Sequence, residues 1–136
     1  MVEAPPNGLP QFYPSLTYRD ALAAIAWLKD AFGFEEMAVY TGAGENARQI
    51  EHAELRFGTG VLMMGSPRPD RPSEGQQAPY VYVADVDGHC ARAKAAGAKI
   101  TTEPHDNDYG GRGYAVEDCE GNEWFFGSYL PGNHEG

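Results

Sequence analysis

Residues 52–54 read His-Ala-Glu, which on an extended chain puts an imidazole and a carboxylate on the same side, two residues apart. Such a pair can relay a proton, orient a hydrogen-bonding ligand, or supply two ligands to a metal ion. Its ordinary alternative is a polar pairing with Arg56 or Arg112. A third metal ligand is not at hand: His89 falls on an expected helix, and His105 and Asp106 fall in an expected loop. The other chemically suggestive stretch is Glu117–Tyr129, EDCEGNEWFFGSY, an acidic turn leading into an aromatic strand on which Glu123 and Phe125 share a face. The cysteines, Cys90 and Cys119, form no Cys-x-x-Cys motif and read as free thiols.

The elements that must carry these residues repeat. Phe12–Arg19 alternates like a strand. Asp20 can cap a helix over 21–32, whose Leu22, Ile25, Leu28 and Phe32 make one stripe, and Gly33 ends it. Strands follow over 34–40, 49–57 and 61–64. Within 49–57, Ala53, Leu55 and Phe57 take one face, and His52, Glu54 and Arg56 the other. The second half begins with a strand at 80–84. Asp85 caps a helix over 86–96, Gly97 ends it, and strands follow at 98–102, 113–117 and 123–129, with 103–111 expected as a loop. SLTYRD at 15–20 parallels YVYVAD at 80–85, and FGTGVLMM at 57–64 parallels CEGNEWFF at 119–126. The expected organisation is a leader over 1–11, a βαβββ module over 12–66, a proline-rich linker over 67–79, a second βαβββ module over 80–130 and a tail over 131–136.

The 136 residues suffice for one domain with a core, and 42% hydrophobic with 22% charged residues is globular. A formal net charge of −10 disfavours nucleic acid and anionic membranes and is compatible with a cationic ligand. No apolar run approaches the ~18 residues of a membrane span. The first residues carry no basic or apolar signal, so the cytoplasm is expected.

The segments RDALAAIAWLKDAFGF, HAELRFGTGVLMMG, VYVADVDGHCARAKAAGA and EDCEGNEWFFG, in that order, resemble the vicinal-oxygen-chelate superfamily, which includes glyoxalase I, bleomycin-resistance proteins and extradiol dioxygenases. The resemblance covers about residues 12–130 and points most to the glyoxalase/bleomycin-resistance-like group. It implies an α+β fold in which two tandem βαβββ modules form a curled mixed sheet around a cleft, with the helices outside, and it implies a homodimer. Metal-using relatives place ligands near the middle of the first strand and on the last strand of each module. Counted on this chain, those places are Tyr13, Met64, Ala78 and Phe125, which make no site for a divalent ion.

Strand alternation then gives an aromatic ligand-binding cleft of Tyr13, Ser15, His52, Glu54, Met64, Tyr80, Tyr82, Glu123 and Phe125, with Arg112 near it. The packed alternative is that these rings fill a core; Trp124 and Phe126 belong under the helices. The expected function is metal-independent binding of a small aromatic or cationic compound, with no cofactor. The alternative is a lyase, isomerase or dioxygenase holding one divalent metal through displaced ligands such as His52, Glu54 and Glu123. A third class is a dimerising module without a ligand.

Overall fold

A computed structural model describes residues 3–67 and 78–131. The expected linker lies mostly, and the expected tail almost wholly, outside the described residues. The chain divides into two compact units, Met1–Glu74 and Gly75–Gly136.

The first unit contains β1 (Ser15–Thr17), α1 (Ala21–Phe32), β2 (Glu35–Thr41), β3 (Ile50–Phe57) and β4 (Gly60–Gly65). Asp20 caps α1 by accepting a hydrogen bond from the Ala23 N–H at 3.1 Å, and Gly33 closes it in the left-handed region at φ 88°, where a side chain would be strained. The helix buries Ala21, Ala24, Ile25, Leu28, Ala31 and Phe32, while Leu22 is only half-buried. The buried stripe therefore includes three alanines that a count of large apolar residues passes over. The strands order as β1-β4-β3-β2, with β1 and β4 parallel and the other neighbours antiparallel. Register sets Leu16, Met64 and Ala53 side by side in the core, and Ser15, Met63 and Glu54 side by side on the opposite, open face.

The second unit repeats the order with β5 (Tyr80–Tyr82), α2 (Val86–Ala95), β6 (Lys99–Asp106), β7 (Arg112–Glu117) and β8 (Glu123–Gly127), arranged β5-β8-β7-β6. Each module thus forms its own four-stranded mixed sheet, and the fold is the α+β tandem βαβββ class. Here Val81, Phe126 and Tyr114 lie side by side toward the core, and Tyr80, Phe125 and Ala115 toward the open face. The core is a pile of rings: Trp124 stacks on Phe126 at 5.9 Å, Tyr114 on Phe126 at 5.6 Å, and His89 sits 4.2 Å from Phe126.

One expectation is corrected. Residues 103–106 are the second half of β6 rather than loop, with His105 opposite Gly113 and Asp106 opposite Arg112. The run 103–111 is acidic and contains glycine, which reads as a loop, but β6 is the edge of its sheet, where Pro104, a residue without an N–H, is tolerated.

Candidate functional site

The open face of the second sheet carries exposed rings. Tyr80, Tyr82 and Phe125 are 41%, 45% and 38% exposed, so they do not fill a core within this unit. Tyr80 and Phe125 face each other across the parallel β5–β8 pair. Beside them opens a hollow of about 350 Å³, whose walls also include Thr102, His105, Asn107 and Tyr109. Gly113 is part of its floor and pairs directly with Gly127 on the next strand. A Cβ on Gly127 would sit 2.9 Å from the Tyr80 hydroxyl, so the missing side chain is what lets Tyr80 lie across the strand. The Tyr80 hydroxyl then donates to the Tyr129 carbonyl at 2.6 Å. Burial, reinforced by neighbouring Tyr109, raises the Tyr80 phenol above its ordinary range.

The tip of the β6–β7 hairpin supplies Tyr109. Gly110 and Gly111 turn the chain at φ 115° and 71°, and Tyr109 meets Tyr129 edge to face at 4.9 Å. Sequence reasoning missed Thr102, Asn107 and Tyr109. The signal available was the Asn-Asp-Tyr-Gly-Gly run, a tight turn that exposes an aromatic residue. Glu123, expected on this face, accepts a hydrogen bond from Thr101 at 2.9 Å.

The open face of the first sheet holds the other expected group. His52 Nε2 lies 2.8 Å from Glu54 Oε2, and Tyr40 stacks on the imidazole at 6.0 Å. The pair forms within one strand, while Arg56 binds Glu35 at 3.0 Å. Ser15, Thr17, His52 and Met63 border a small depression floored by Gly65. Tyr13 is exposed and precedes β1.

Two expected site residues are corrected. Met64 is 2% exposed and packs in the core beside Leu16 and Ala53; Met63 takes the open face instead. Counting from Gly60 placed Met64, but the parallel register that sets Tyr80 against Phe125 sets Ser15 against Met63. Arg112 also leaves the open face. Its guanidinium binds both carboxylate oxygens of Asp87 on α2, at 2.9 and 3.0 Å, and Asp106 at 3.2 Å. The Arg112 hydrogen bond holds the Asp87 carboxyl below its usual range.

The residues present do not fit the divalent metal that the resemblance raises. Tyr13, Ala78 and Phe125, with either Met63 or Met64, offer one phenol and no imidazole or carboxylate. Among the described residues, no three His, Cys, Asp or Glu side chains gather into a group that could hold an ion. His89, a further imidazole, is turned to the Tyr114 hydroxyl at 2.7 Å. Also among the described residues, no helix is long and apolar enough to cross a membrane.

The family described as the Glyoxalase/Bleomycin resistance protein/Dioxygenase superfamily matches residues 11–126. No curated protein matches the sequence. Among solved structures, TioX from Micromonospora sp. ML1 is 33% identical, with a TM-score of 0.75 over 89% of this chain and 99% of that one. Lactoylglutathione lyase from Agrobacterium tumefaciens is 22% identical, with a TM-score of 0.67 over 91% of this chain and 95% of that one. A glyoxalase/bleomycin resistance protein from Streptomyces sp. CB03234 is 21% identical, with a TM-score of 0.65 over 84% of this chain and 96% of that one. The latter two likenesses concern the fold alone.

Proposed function

The chain belongs to the glyoxalase/bleomycin resistance protein/dioxygenase superfamily, and from that premise we propose that it is a metal-independent binding protein for a small aromatic or cationic organic compound. The observation that carries this reading is the hollow of about 350 Å³ on the second sheet, walled by Tyr80, Tyr109 and Phe125. Exposed rings of this kind gain by covering an apolar, planar ligand, and their faces attract a positive charge. The absence of any basic side chain but His105 in that wall fits the same ligand charge. Neither Cys90 nor Cys119 forms a disulfide, which accords with a cytoplasmic setting, and a homodimer belongs to the same proposal through the family.

Trp124 stacks on Phe126, the neighbour of Phe125, and is a natural reporter of this site. Titration of Trp fluorescence with a panel of neutral and cationic aromatic compounds is expected to show saturable one-to-one binding, unchanged by EDTA and lost in Phe125→Ala. A panel without any response sinks the reading.

A metal-dependent lyase, isomerase or dioxygenase is the rival, and its support is the His52–Glu54 contact of 2.8 Å. Metal analysis of protein purified without chelator separates the two. A stoichiometric transition metal lost on His52→Ala would favour the rival.

A further inference from the structure

Tyr129 stands just past β8 and is not one of the residues lining the aromatic hollow, yet it holds two that are. Its backbone carbonyl takes the Tyr80 hydroxyl at 2.6 Å. Its ring meets the Tyr109 ring at 4.9 Å with the planes at 90°, the edge-to-face geometry that aromatic quadrupoles favour. A ring 70% exposed at a hairpin tip has little other packing to fix its orientation, so this contact weighs heavily for Tyr109. The backbones are close as well. A Cβ on Gly111 would sit 2.6 Å from the Tyr129 nitrogen and 2.9 Å from its Cα, so the tip lies directly against this residue. Tyr129 is in turn anchored through Ser128, whose N–H donates to the Arg112 carbonyl at 2.8 Å and whose hydroxyl accepts from the Arg112 N–H at 2.9 Å.

We propose that Tyr129 is the positioning residue of the hollow, and that by fixing the rings of Tyr109 and Tyr80 it makes the site prefer flat aromatic ligands to saturated ones of the same size. The proposal rests on the aromatic reading above and adds to it what sets the preference. Rings held at set angles offer faces and edges that a flat π system can match and a puckered ring cannot. Holding them before the ligand arrives also spares the entropy of ordering two side chains on binding. With Tyr109 free to turn, the hollow would still cover apolar surface but would distinguish the two ligands less.

A matched pair of probes tests it. 2-Naphthol and decahydro-2-naphthol share a carbon skeleton and a hydroxyl, and differ in planarity. Calorimetric titration of the full chain at pH 7 is expected to show 2-naphthol binding about tenfold more tightly. Tyr129→Leu keeps apolar bulk and the backbone carbonyl but removes the ring edge. It is expected to cut the preference to about threefold while leaving decahydro-2-naphthol affinity within about twofold, and Tyr129→Phe to keep the natural preference. Tyr109→Leu is expected to cause the same loss and to add nothing to it in the double variant, because Tyr129 acts through Tyr109. Hydrogen exchange of the ligand-free chain gives a reading independent of any probe. The Gly110 N–H, bonded to the Asn107 carbonyl at 3.2 Å, is expected to exchange about fivefold faster in Tyr129→Leu than in Tyr129→Phe. Equal exchange, additive losses in the double variant, or a preference that Tyr129→Leu leaves intact overturns the proposal and leaves the aromatic reading standing. Equal loss of both probes in Tyr129→Leu also overturns it, since that marks a general collapse of the site. If neither probe binds the natural chain, the aromatic reading falls and the proposal with it.

Discussion

The buried carboxylate of Asp118 accepts hydrogen bonds from the Glu120 N–H at 2.9 Å, the Asn122 N–H at 3.0 Å and the Trp124 indole N–H at 3.0 Å. It therefore ties the turn before β8 to the largest side chain of the second unit's core. Asp118→Ala leaves those donors buried without a partner, and we expect a loss of about 3 kcal/mol, read as a lower denaturant midpoint. Function is more sensitive at Gly127. An added methyl meets both the Arg112 carbonyl and the Tyr80 hydroxyl at 2.9 Å. Gly127→Ala is expected to cost about 1–3 kcal/mol through overpacking and to displace Tyr80 from the hollow, weakening aromatic binding more than Tyr82→Ala does.

Elements position these residues through short-range rules. Both helices begin at an aspartate whose side chain takes a backbone N–H, Ala23 for Asp20 and Gly88 for Asp85. Removing either cap by substitution to alanine is expected to cost about 1 kcal/mol, measured by chemical unfolding. The two cysteines report on the elements that hold them. Cys90 is buried on α2, and its burial raises the thiol above its usual range, while Cys119 is exposed in the turn before β8. A thiol reagent such as DTNB is expected to modify Cys119 rapidly in the native protein and Cys90 only after unfolding. Two fast thiols would show that α2 is not held against the sheet.

At the scale of the whole molecule, the shifted groups point to alkaline weakness. Burial raises the Tyr114 phenol, the Tyr80 phenol and the Cys90 thiol. The folded chain keeps these protons when the unfolded chain has released them, so stability falls as pH rises. The loss begins near the ordinary thiol value of about 8.5 and steepens past the ordinary phenol value of about 10. Unfolding free energy measured from pH 7 to pH 11 is expected to decline over that window, and Tyr114→Phe with Tyr80→Phe to flatten the steeper part. At the acid end, the Asp87 carboxyl held down by Arg112 acts oppositely. Its small contribution, screened at an exposed site, is present above the ordinary carboxylate range and is lost as pH falls below it.

The periodicities of one chain were enough to determine the two βαβββ modules, the 21–32 helix with its Asp20 cap and Gly33 stop, and the burial of Trp124 and Phe126. Those features depend on neighbours a few residues away, and local sequence states them. Register between strands was another matter. Met64 and Met63 are equally apolar, and only the parallel pairing of β1 with β4 decides which of them faces the core. Arg112 reads as preceding a strand and is in fact the first residue of β7, but only the packing of α2 on the second sheet brings Asp87 to it and turns it from the open face. The acidic run after residue 102 reads locally as a loop, and its first four residues continue β6 only through pairing with β7 at a sheet edge. The hollow itself joins β5, β6, β7, β8 and a hairpin tip, and Tyr80 is held in it by a hydrogen bond to the Tyr129 carbonyl. Those partners meet only when the chain is folded.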